Sequence, residues 1–161
     1  MIREISTIAL LVALAAPVAA QEASDEAADG ATQEASQHHD FGPSGIMAKA
    51  NREDLAPLTL ASGKPVADAP YQLKSGGYYK IEINADGSQE LALSGGDFFR
   101  AIWINEIVVN DVEIRPMGVH SIEFDDKGTA TMTFIAIKPG NFELSIPGST
   151  GDTQKATFVI Q

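Results

Sequence analysis

Residues 128–148 read GTATMTFIAIKPGNFELSIPG. Successive strand residues face opposite ways, so Ala130, Met132, Phe134 and Ala136 share one face, and Thr131, Thr133, Ile135 and Ile137 the other. Met132 is expected in the core with Phe134. Lys138-Pro139-Gly140 interrupts the alternation. Proline has no N–H for a ladder and glycine adopts backbone angles that other residues resist, so the pair marks a turn. Beyond it Phe142, Leu144 and Ile146 resume the period of two. Two such strands need a second layer to cover their apolar face.

The same texture runs outward from this segment over 56–161. Strands are expected at 78–84, 90–94, 120–124, 129–137, 142–146 and 155–160. Their separators are turn-formers, Ala85-Asp86-Gly87, Gly95-Gly96-Asp97 and Asp125-Asp126-Lys127-Gly128. Asp97 is placed to cap a helical turn over Phe98–Arg100. The β-branched run from Ile102 to Ile114 then favours strand, with Asn110-Asp111 as a tight turn. Trp103, the only tryptophan, is expected in the core of that run, with a surface anchor for a partner as the alternative. Many short strands with regular turns make an all-β domain, a small Greek-key β-sandwich.

The first twenty residues have a different character. MIRE is a short charged start, and ISTIALLVALAAPVAA (5–20) is apolar, with the small residues Val18 and Ala20 at its end. This is the pattern of a secretory signal peptide over 1–20, cut after Ala20. Residues 21–40 hold six acids, no lysine or arginine and no aromatic residue. Such a stretch buries too little apolar surface to offset the entropy of ordering, so 21–55 is expected to be a disordered acidic tail and tether, with one helical turn near Ile46–Asn51. The sandwich domain is expected over 56–161.

Net charge is −11 and there is no cysteine. The charge opposes nucleic-acid binding, which exchanges basic side chains for counterions, and docking on anionic lipid. With the signal removed, no apolar run remains to insert in a membrane. Without cysteine the domain has no disulfide, thiol nucleophile or thiolate metal site and depends on its apolar core.

The segment 128–148 resembles the last two core strands of cupredoxins, which carry a pattern like T-x-x-F-x-A-x-K-P-G-x-Y-x-F-x-C-x-x-P-G-H. Phe134, Lys138, Pro139, Gly140, Phe142, Pro147 and Gly148 stand at matching places. The resemblance implies a blue-copper-protein fold and an electron-transfer role, with the ligand cysteine falling at Leu144 and the C-terminal ligand histidine at Ser149. A type 1 site depends on a thiolate and two imidazoles, and this chain has no thiolate to give. VHSIEFDD (119–126) resembles the strand that carries the family's first ligand histidine, which falls at His120, 24 positions before Leu144. By alternation His120 shares a face with Ile122 and Phe124 and is expected to point towards the core.

No cofactor is required by these residues. Copper is the metal they suit best. Met117 and His120 flank the turn RPMG, and thioether plus imidazole fits Cu(I). His38 and His39, beside acids in the tail, offer a looser site. Hydrolytic chemistry lacks materials: Ser121 adjoins His120 but faces the other way along a strand, and Asp125-Asp126 lie in a turn. The expected function is therefore non-enzymatic, a periplasmic binding or accessory protein that assists a redox or metal-handling system through a protein partner. The rivals are a copper protein with a Met/His site and an Ig-like structural or assembly module.

Overall fold

The computed structural model describes residues 45–161. The expected signal peptide and the tail up to residue 44 lie outside the described residues. A 3-10 turn (Lys49–Asn51) leads into β1 (Arg52–Asp54) and β2 (Leu58–Leu60), and both run parallel to β4 (Tyr78–Ala85) along the same edge. Pro57 stands between β1 and β2, where an edge segment tolerates a residue without an N–H. The sheet thus begins ahead of the expected boundary at 56: Asn51 is 1% exposed and its amide donates to the Ile46 carbonyl at 2.9 Å.

Eleven strands form two sheets among the described residues. The first has the order β1-β4-β9-β6-β7, with β2 also on β4, and the second the order β3-β11-β10-β5-β8. The members not yet placed are β3 (Tyr71–Leu73), β5 (Leu91–Ser94), β6 (Ile102–Val109), β7 (Val112–Ile114), β8 (Ser121–Phe124), β9 (Gly128–Ala136), β10 (Gly140–Ser145) and β11 (Lys155–Ile160). The chain changes sheet repeatedly, so neighbours in a sheet are often distant in sequence, as in a Greek-key sandwich. α1 (Gly96–Ala101) carries it from β5 in one sheet to β6 in the other.

The opening segment falls as its alternation dictates. Ala130, Met132, Phe134 and Ala136 are at most 1% exposed and face the second sheet, whose Leu93, Leu144 and Phe158 are fully buried. Each large side chain so buried contributes roughly 1.5–3 kcal/mol relative to exposure. Asn110 and Asp111 both take left-handed backbone angles (φ 48° and 65°) and close the two-residue hairpin between β6 and β7.

Trp103 corrects the sequence expectation. It is 48% exposed, because Ile102 and Ile104 on either side of it point inward. Past Ile104 the register against β9 shifts at Asn105. The extra residue keeps Ile107 buried while Glu106 turns outward, which strict alternation from Ile104 would not allow. His120 is a second correction: it precedes β8, is exposed, and does not point into the core.

Tyr71 stacks on Phe158 (ring centroids 4.8 Å apart), and its hydroxyl donates to the Ala56 carbonyl at 2.9 Å. Burial, helped by the nearby Asp68 carboxylate, pushes its pKa up from 10.0 to about 12. Burial also raises Tyr79, whose hydroxyl accepts the Lys74 N–H at 2.7 Å. Because the folded state holds the Tyr71 proton longer than the unfolded chain, the stability it contributes is complete below pH 10 and is lost as pH rises to about 12. Denaturant unfolding followed from pH 9 to pH 12 is expected to show that decline, and Tyr71→Phe should flatten it.

Candidate functional site

The corner that the resemblance assigns to copper is built by β10, β5 and the start of α1. β10 is paired along its whole length with β11, Leu144 opposite Ala156, but meets β5 through only one pair, Ser145 with Ser94. Immediately after Ser94 the chain passes so close to β10 that a Cβ on Gly95 would collide with the Glu143 carbonyl and lie 2.7 Å from Leu144 Cδ2. Glycine is therefore required there by space. Leu144 itself is fully buried.

His120 closes the other side of the same glycine pair. Its carbonyl accepts the Gly95 N–H at 3.2 Å, and its ring carbon Cδ2 would lie 3.2 Å from a Cβ on Gly96. Nδ1 is 3.5 Å from the Ser94 hydroxyl. The structure thus brings His120 and Leu144 to one corner, on either side of Gly95-Gly96, as the sequence match implied. Chemically the corner offers one exposed imidazole and one hydroxyl above a buried leucine. Ser149 is spent on a turn: its hydroxyl donates to the Ile146 carbonyl at 2.6 Å.

Met117 lies elsewhere. It is completely exposed on the connection from β7 to β8 and lines a groove of about 220 Å³ with Phe99, Trp103, Pro116 and Val119. The ring of His120 lies instead on Gly96 and Ser94, which line a separate polar groove of about 690 Å³ with Asp97, Arg100 and Glu143. The two proposed metal residues therefore do not share a groove. His38 and His39 lie outside the described residues. Among the described residues no three His, Cys, Asp or Glu side chains cluster to hold a metal ion.

Sequence reading missed the exposed face of β6. The signal was present, since Ile102 and Ile104 bracket Trp103 and two inward isoleucines leave the residue between them outside.

No protein-family model and no curated protein matches the chain. Among solved structures it is similar to a multicopper oxidase from Pseudomonas thermotolerans, at 15% identity and a TM-score of 0.49, over 70% of this chain and 30% of that one. A copper nitrite reductase from Nitrosomonas europaea aligns at 17% identity and a TM-score of 0.46, over 59% of this chain and 33% of its own. The chain thus spans about a third of either protein. The architecture is recognised from the chain itself: two facing Greek-key sheets, with β9, the Pro139-Gly140 turn and β10 placed as in a cupredoxin-like sandwich. Leu144, where the sequence resemblance puts a ligand thiolate, is a buried core residue.

Leu144→Ala should cost about 2–5 kcal/mol, the range for a buried leucine whose cavity relaxes only in part. Gly95→Ala, which forces a methyl against β10, should cost about 1–3 kcal/mol. Chemical denaturation is expected to show both losses and almost none for Ser149→Ala.

Proposed function

We propose that the chain is a non-enzymatic binding or accessory protein, exported to the periplasm, that serves a redox or metal-handling system without a type 1 copper of its own. One observation carries this reading. Leu144, which stands where the resemblance puts the metal-binding thiolate, is fully buried and packed against Gly95. On that reading the place of a charged ligand is filled with hydrocarbon, which leaves the surface to carry the function. Export is supported by the signal-like residues 1–20. No helix among the described residues is long and apolar enough to cross a membrane.

The copper question is settled by titration. Purified protein, native and metal-stripped, is titrated with Cu(I) under a competing chelator and with Cu(II) by calorimetry and electron paramagnetic resonance. The reading expects no stoichiometric high-affinity site in the folded domain and no intense thiolate-to-copper absorption. Stoichiometric copper in the native protein, lost in His120→Ala or Met117→Ala, would replace it with a Met/His copper protein.

A further inference from the structure

The charges of this domain are sorted between its two ends. At one end, Ser75 Oγ donates to the Ile137 carbonyl at 2.6 Å and the Gly76 N–H to the Ala136 carbonyl at 2.8 Å. These bonds place Lys74, just before Ser75, beside Lys138, just after Ile137. The Ala101 carbonyl accepts the N–H groups of both Ile137 and Lys138 at 2.9 Å, which ties the same turn to the start of β6 and so to Trp103. Lys74 and Lys138 are exposed, and neither makes an ion pair among the described residues. Arg100 lies nearby but is bridged to Asp97 at 3.3 Å.

An apolar row runs across the outer face at this end. Tyr78 pairs with Ile135, and Ile135 with Trp103. Tyr78 and Ile135 are buried, while Trp103 (48%) and Ile137 (54%) are left open. At the opposite end, Asp86 follows β4, Asp111 turns β6 into β7, and Asp125 and Asp126 join β8 to β9, against Lys64 and Lys127. A chain of net charge −11 thus keeps two lysines with no ion pair among the described residues at the end that carries its exposed tryptophan.

We infer that the Trp103–Ile137 end, flanked by Lys74 and Lys138, docks a protein whose surface sets carboxylates around an apolar side chain. Tryptophan is among the residues that most often anchor an interface, and a charged rim steers the encounter and fixes its orientation. The aspartates at the far end would repel such a partner and direct it to this one. Two lysines on a chain of this net charge are too few for a polyphosphate or a nucleic acid, which draws its affinity from many phosphate contacts. The surface borders the corner at Gly95: Lys138 also lines the polar groove with Gly96, Asp97 and Glu143, whereas Trp103 lines the groove with Phe99 and Met117. The inference deepens the binding-protein reading and rests on it.

Trp103 is the only tryptophan, so its fluorescence reports on this surface alone. The probe is a blocked synthetic peptide of alternating Glu and Leu, with alternating Lys and Leu as its control. The Glu/Leu peptide should shift the emission saturably and the control should not. Lys74→Glu with Lys138→Glu should weaken binding on the order of tenfold or more, and high salt should weaken it likewise. Lys64→Glu with Lys127→Glu, at the far end, should not weaken it. Calorimetry on Trp103→Ala should show binding lost, with the melting temperature of every variant near that of the parent. Equal response to both peptides, indifference to the Lys74/Lys138 reversal, or concentration-dependent self-association through the same face would overturn the inference. Those outcomes leave the binding-protein reading standing, whereas a stoichiometric copper site lost in His120→Ala but kept in Trp103→Ala, with the peptide response intact, would defeat that reading alone.

Discussion

Phe98 is the side chain on which the sandwich turns. It lies on the one short helix that passes between the sheets, fully buried, and it meets aromatic rings from both. Its ring stacks on Phe158 of β11 with centroids 4.2 Å apart, and meets Phe134 of β9 edge-on at 5.9 Å. Phe99 beside it makes a further edge contact at 5.7 Å. Such pairs contribute about 0.5–1.5 kcal/mol each beyond the area they bury. In a chain without cysteine, this aromatic cluster joins the two layers where no disulfide can.

The close approach at Gly95 follows from the same geometry. α1 must start from β5 in one sheet and deliver Phe98 to the middle, so the chain has to leave β5 tight against β10. Only a residue without a Cβ fits that passage. The passage presses on Leu144, and it sets His120 on the far side of Gly96. What stands in the copper corner is thus fixed by core packing. A leucine there adds to the core, while a thiolate would need a metal or a hydrogen-bonding partner to be stable in the same place. Of the exposed features, Met117 and Trp103 share one groove, and Lys138 stands at the Pro139-Gly140 turn.

The sequence by itself determined the strands of the domain and the inner face of most of them. Period-two alternation from Gly128 to Ile146, the Pro139-Gly140 turn and the Asn110-Asp111 hairpin depend on neighbouring residues, and local chemistry was enough to read them. It also excluded thiolate chemistry, since a residue absent from the chain cannot appear through folding. The burial of Leu144 followed from its phase with Phe142 and Ile146. Three things were decided only by the tertiary structure. Arg52–Asp54 entered the sheet as a parallel edge, because β4 offered an unpaired side that no local pattern announces. Ile107 stayed inward although Trp103, in phase with it along the chain, faces out, because pairing with β9 shifts at Asn105. Lys74 and Lys138 became neighbours across 64 positions of chain, because Ser75 and Gly76 hydrogen-bond to the end of β9. Each depends on contacts between segments far apart in sequence, whose register is set by the whole core at once rather than by the residues nearby.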